Sequence, residues 1–311
     1  MICNERRNIK TLRLIATIGL LLVISALHSA HAAEDNTNFP AEITGKDGAP
    51  MALVPAGEFL MGNSTAVHYG GARRNEKPQQ PVYLDAYYID KYEVSNTLYF
   101  AYVEANGGGS LEPAYLPTNA FRVNLSIHGN RPVTSIRWSS AKGYCEWAGK
   151  RLPTEAEWEK AARGRDGRMH PWGDAEPTNE LAHFGVRPQE WQGPSSLAPV
   201  DSHPQGASPY GVHHMVGNVF EWVNDIYLDE YYQEMPLRNP QGPPKGTMNK
   251  HGKKLSSYGI RGGSAKSVPA QLTTTFRAGW SHIYNAPYAG FRCAQNVGDA
   301  EPTRNYEGTE E

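Results

Sequence analysis

Glycine and proline interrupt this 311-residue chain so often that long regular elements have little room between them. The 31 glycines and 23 prolines are spread along the chain rather than gathered in linkers. That distribution argues against a helical bundle or a regular α/β sheet and for a loop-rich α+β domain of short elements. No internal repeat is visible. Aromatic residues make up 10%, with 7 Trp and 17 Tyr, which is ample for a core. A net charge of -2 gives no basic footprint for nucleic acid or another polyanion.

The N-terminus reads as a leader. Arg6, Arg7, Lys10 and Arg13 precede an apolar run from Leu14 to Leu27, and Ala30-His31-Ala32 supplies small residues at both cleavage positions. This is the order of a secretory signal peptide, expected over 1–32. The apolar run is shorter than the roughly 20 residues of a membrane span. The expectation is a secreted or periplasmic protein, with no membrane attachment after cleavage. Of the 3 cysteines, Cys3 lies in the leader, so the mature chain keeps Cys145 and Cys293. Two thiols in an oxidising compartment can form one disulfide, one thiolate metal site or one redox pair. A chain this irregular needs a fastener. A Cys145–Cys293 bridge would contribute up to about 5 kcal/mol in the chain-entropy model. Bound Ca²⁺ is the other common fastener.

Along the mature chain, 33–47 reads as a flexible arm, 48–297 as the domain, and 298–311 as an acidic disordered tail. The apolar runs Met51 to Pro55 and Glu58 to Met61 read as a hairpin about Pro55-Ala56-Gly57. Val82 to Ile89 is strand-like with a turn at Asp85. Ser95 caps a short helix whose apolar face holds Tyr99, Phe100 and Val103. Val133 to Trp138 reads as a strand. Ser139 then caps a helix with Ala141, Tyr144, Cys145 and Ala148 on one face, stopped at Gly149. Thr154 and Glu157 form a capping box, followed by a buried stripe of Trp158, Ala161 and Ala162 and a stop at Gly164. Glu157 and Glu159 read as cap and helix surface rather than as catalysts. His183, His213, His214 and His282 have no metal-ligand spacing and read as loop histidines.

Seven segments stand out in order: Val54-Pro-Ala-Gly-Glu-Phe59, Tyr92-Glu-Val-Ser-Asn96, Tyr144-Cys-Glu-Trp-Ala-Gly-Lys-Arg-Leu-Pro-Thr-Glu-Ala-Glu-Trp-Glu159, Pro171-Trp-Gly-Asp174, Met215-Val-Gly-Asn-Val-Phe-Glu-Trp222, Arg261-Gly-Gly-Ser264 and Gly290-Phe-Arg-Cys-Ala294. The series resembles the formylglycine-generating enzyme, or sulfatase-modifying factor, family over about 48–297. The resemblance implies a single irregular domain of C-type-lectin-like type, stabilised by Ca²⁺. It implies a structural disulfide between Cys145 and Cys293. One family Ca²⁺ site matches His214, Gly217, Val219 and Glu221 here. The second would need the Ala182-His183-Phe184 region, where His183 replaces an Asn, and is expected to be lost.

The resemblance breaks where the family holds copper. Its Cu(I) ligands are two cysteines, and their positions here are Ser267 and Leu272. Leucine binds no metal, and a serine hydroxyl is a poor ligand for soft Cu(I). The cleft tryptophan is Phe220, and Val268 and Gln271 stand where the family has Arg and Tyr. The expectation is no Cu(I)-dithiolate site and no formylglycine-generating activity. The cleft candidates that remain are Ser264, Ser267, Phe220 and Arg261. Relatives lacking the cysteine pair imply oxidative maturation or tailoring of a periplasmic protein, peptide or small metabolite, with another redox metal unidentified. The alternative is a non-catalytic lectin-like cleft that holds a peptide or glycan.

Overall fold

The computed structural model describes residues 39–64, 74–107, 124–283 and 288–299. Residues 1–38, where the leader with Cys3 is expected, and residues 300–311, where the acidic tail is expected, lie outside the described residues. No described helix is long and apolar enough to cross a membrane.

The elements are short, as the glycine and proline spacing requires. Strands β1 (Glu42–Thr44), β2 (Pro50–Val54), β5 (Tyr87–Asp90) and β10 (Ala294–Asn296) form one antiparallel sheet in the order β1-β2-β5-β10. Among the described residues, β3 (Gly57–Met61) pairs only with β4 (Gln80–Leu84). A second four-stranded sheet runs β8-β7-β6-β9, from Arg277–Ser281, Ser257–Arg261, Phe220–Ile226 and Ala289–Gly290, with β6 and β9 parallel. Helices α1 (Asn96–Ala105), α2 (Leu125–His128), α3 (Trp138–Trp147) and α4 (Glu155–Arg163) complete the regular elements of the described residues, apart from single 3₁₀ turns.

Several expectations hold at the level of single residues. Ser95 accepts from the Leu98 amide at the start of α1. Thr154 and Glu157 close the capping box of α4, worth about 1 kcal/mol. Gly149 and Gly164 take positive φ past the ends of α3 and α4. The break expected at Asp85 separates β4 from β5.

Others are corrected. β2 and β3 are strands but not a hairpin. Gly57, at φ 133°, turns the chain out of the first sheet, and β5 takes the place beside β2, from Met51↔Asp90 to Val54↔Tyr87. Val133 to Trp138 is not a strand. Ser135 has φ 59°, which breaks the extension, and α3 starts at Trp138 with Arg137 rather than Ser139 at its cap. Val133 and Ile136 are buried all the same, so the apolar pattern reported burial and not conformation. The 33–47 arm is structured at its end: β1 pairs with β2, and the Asp47 side chain bonds Lys150 and Tyr144. Phe100 is only half-buried, and Tyr102 joins Tyr99 and Val103 on the inner face of α1.

Glu159 is the largest correction. It is fully buried, as is the whole of α4 to within 8%. The helix packs against β3, β4, β6 and β7, so no face is left for solvent. Its charges are matched internally. Arg261 bonds Glu155 at 3.0 Å and Glu159 at 2.6 Å, Arg277 bonds Glu155 at 2.7 Å, and Arg163 bonds Glu159 at 3.0 Å. Glu159 also accepts from the Gly62 amide and the Tyr232 hydroxyl.

Cys145 on α3 and Cys293, just before β10, are joined by a disulfide with Cα atoms 5.6 Å apart. It lies in an aromatic core with Tyr99, Tyr144, Trp222 and Phe291.

Candidate functional site

The site is built where the second sheet meets a tight turn. β7 ends at Arg261, and Gly262 and Gly263 follow at φ 85° and 77°. Neither has room for a side chain. A Cβ on Gly262 would lie 2.9 Å from the Met215 carbonyl and 3.0 Å from the Trp158 ring. One on Gly263 would lie 2.9 Å from the Gln271 carbonyl. The Arg-Gly-Gly-Ser motif is therefore a close-packed corner, and it leads directly into the turn that holds Ser264.

Ser264 and Ser267 are brought together, at 2% and 3% exposure. The Ser264 amide donates to Ser267 Oγ at 3.0 Å, and the Lys266 amide donates to Ser264 Oγ at 3.3 Å. Both hydroxyls thus close the turn, and among the described residues neither is hydrogen-bonded to a His or a carboxylate that could act as base. The Ala265 amide donates to the Asn218 carbonyl at 2.7 Å, which ties the turn to the entry of β6 and places Phe220 nearby. The Phe220 ring is half-buried, 6.0 Å from that of Phe276. Leu272 is fully buried against Ala182 and Val216, so the position matching the second copper ligand is filled with hydrocarbon. Arg261 does not belong to the cleft. Its guanidinium is locked under the sheet by Glu155, Glu159, Tyr232 and the Thr274 carbonyl. It is a core residue because β7 aims it at α4.

Three further residues, which no motif marks, gather beside this turn. Lys266 Nζ sits 4.6 Å from the Tyr288 ring centre and 5.8 Å from that of Trp191, and donates to the Tyr288 hydroxyl at 3.0 Å. The two rings meet edge to face at 4.9 Å and 88°. Trp191 comes from the irregular 187–196 stretch, and Tyr288 directly precedes β9. No spacing rule joins such distant positions.

The turn matched to the family's Ca²⁺ site has left-handed backbone at His214, Gly217 and Asn218. Gly217 must be glycine, since a Cβ would lie 2.7 Å from the His183 carbonyl. The side chains differ from expectation. Both oxygens of Glu221 are engaged: Arg292 bonds them at 2.7 Å each, and the Trp158 ring N–H donates to one at 2.9 Å. The His214 ring turns its Nε2 to Ser202 and the Pro199 carbonyl, and its buried Nδ1 makes no hydrogen bond among the described residues. The unmet oxygen at this turn belongs to Glu93. Its Oε2 accepts from Asn218 at 2.8 Å, the Val219 amide faces the carboxyl, and the buried Oε1 makes no close hydrogen bond among the described residues. Burial, and then the neighbouring Glu221, push the Glu93 carboxyl well above the usual range. Two carboxylates facing one Arg292 guanidinium leave a place that a hard cation would balance. Of the two carboxylates at this turn, Glu221 is committed to Arg292 and Trp158, and Glu93 is the less engaged. At the second family position, the His183 ring is bonded to the Ser196 carbonyl at 2.7 Å.

His183, His203 and His214 lie close together. The His214 and His203 rings lie 5.2 Å apart, and His183 and His203 6.3 Å apart. Burial first, then the neighbouring His203 and Arg292, hold His214 well below its ordinary value. No group of three or more His, Cys, Asp or Glu is arranged to hold a metal among the described residues.

This fold and this turn define a class. The family model for the sulfatase-modifying factor enzyme 1-like domain matches residues 37–297, and the chain belongs to that family. Formylglycine-generating enzyme from Bos taurus is 31% identical, over 86% of this chain and 80% of its own length. Hercynine oxygenase from Mycolicibacterium smegmatis is 30% identical, over 79% of this chain and 61% of its own. Among solved structures, PvdO from Pseudomonas aeruginosa shares the fold with a TM-score of 0.66 at 24% identity, covering 84% of this chain and 100% of that one. The family thus includes relatives named for formylglycine generation and for oxygenation. The match begins at 37, which agrees with the placement of β1 inside the domain.

Proposed function

We propose that this chain is a secreted, periplasmic factor for oxidative maturation or tailoring of a periplasmic protein, peptide or small metabolite. It works without copper-thiolate formylglycine chemistry. The observation that carries this reading is the replacement of the thiolate pair by Ser267 and Leu272, with both remaining mature cysteines spent in the Cys145–Cys293 bridge. An oxygenase among the relatives supports oxidative chemistry in such a cleft. Purified mature protein, supplied with copper, O₂ and a sulfatase-motif peptide, is expected to leave the cysteine thiol intact. Conversion of that thiol to an aldehyde would overturn the reading. Stoichiometric iron or copper that survives mild chelation is expected for the oxidative role.

The second reading is a lectin-like binding module for a peptide or glycan. It is favoured by the Ser264 and Ser267 hydroxyls, which each accept from a backbone amide of the turn and have no base bonded to them among the described residues. Calcium as the sole bound metal would support it over the first.

We also propose one structural Ca²⁺, held by Glu93 with the carbonyls of Gly217 and Val219. When bound, the ion would supply charge balance and rigidity to the turn that carries Phe220. Added Ca²⁺ is expected to raise the thermal midpoint of chelator-treated protein, and Glu93→Gln to remove most of that rise. An equal rise in wild type and variant would exclude Glu93 as a ligand.

A further inference from the structure

The corner made by Trp191, Tyr288 and Lys266 has a chemistry of its own. Two half-buried rings stand at 88° to each other, and an ammonium group lies against both. Among the described residues Lys266 has no carboxylate partner. Glu190, on the same loop as Trp191, is already paired with Arg187. One Lys266 N–H is spent on the Tyr288 hydroxyl, which leaves two donors on a cation.

The position is also fixed from behind. The Val186 amide donates to the Ala265 carbonyl at 2.8 Å and the Gly185 amide to the Ser267 carbonyl at 3.2 Å. These bonds clamp the 264–267 turn to the segment that leads to Trp191. The Phe220 amide donates to the Tyr288 carbonyl at 2.8 Å, so Tyr288 is tied to β6. A lysine whose stem and amine are held this way loses less rotamer freedom on meeting a ligand than a free surface lysine does.

We infer that Lys266, with Trp191 and Tyr288, forms a recognition subsite for a planar group bearing a carboxylate. The flat part stacks on one ring and meets the edge of the other. The carboxylate takes the two remaining N–H donors of Lys266 in charge-assisted hydrogen bonds. The subsite rests on the reading that the cleft at Phe220 and Ser264 is the functional one. It is compatible with either an oxidative enzyme or a binding module, since it concerns what is held and not what is done to it.

Benzoate and its neutral counterpart benzamide probe the charge, and acetate probes the ring. Binding is read by saturation-transfer NMR on the intact mature protein, with folding of each variant checked by its thermal midpoint. Benzoate is expected to bind saturably, and benzamide and acetate each about tenfold or more weakly. Lys266→Met should make benzoate and benzamide equal, and Lys266→Arg should retain the preference. Trp191→Ala should remove the advantage of benzoate over acetate. Absence of saturable benzoate binding to wild type, or a benzoate preference that survives Lys266→Met, overturns the inference. Because no turnover is measured, failure of the oxidative reading leaves this result unaffected, and failure here leaves the peptide and metal assays to stand alone.

Discussion

Arg261→Met is expected to destabilise the fold by on the order of 3–5 kcal/mol, a large part of the 5–15 kcal/mol that holds a typical domain together. The guanidinium sits between Glu155 and Glu159 and also bonds Tyr232 and the Thr274 carbonyl. Methionine fills much of the space but leaves two buried carboxylates short of a partner. Arg277 still serves Glu155 and Arg163 still serves Glu159, so the network is weakened rather than emptied. The loss should appear as a lower urea midpoint at unchanged slope. Pairing Arg261→Met with Glu159→Gln should cost less than the sum of the two, because the second change removes a charge that the first has left with one cation fewer. A single-variant cost under about 1 kcal/mol would show that the network is replaceable by hydrocarbon.

The second large effect concerns the disulfide. It links residues 148 apart in sequence, and the chain-entropy model then gives an upper value of about 5 kcal/mol. Cys145→Ser with Cys293→Ser should therefore lower the thermal midpoint strongly. The bridge is enclosed by Tyr99, Tyr144 and Phe291, so its removal also puts two hydroxyls into an apolar core. Intact-mass measurement of denatured, unreduced mature protein should find no thiol to alkylate, and two after reduction. Two alkylatable thiols before reduction would remove the bridge from the account.

Much of the scaffold was legible in the chain, for identifiable reasons. Caps are local, so Ser95, Thr154 and Glu157 announced their helices. Positive-φ glycines at 149 and 164 announced the stops. The family series carried the fold class and the pairing of Cys145 with Cys293. What was misread was nonlocal. A hairpin between β2 and β3 satisfies every local rule, yet β5 takes the place beside β2 and β3 pairs with β4. Glu159 looked like helix surface because its partners, Arg261 and Tyr232, lie far along the chain.

The candidate site divides in the same way. Its sequence alone determined that no thiolate pair stands at Ser267 and Leu272, since an absent residue type needs no geometry to establish. The tertiary structure decided the rest. It withdrew Arg261 from the cleft, committed Glu221 to Arg292, left Glu93 with an unmet oxygen, and assembled Lys266 with Trp191 and Tyr288. Each of these depends on which side chains meet across the fold, and in a chain with so few regular elements no periodicity encodes those meetings.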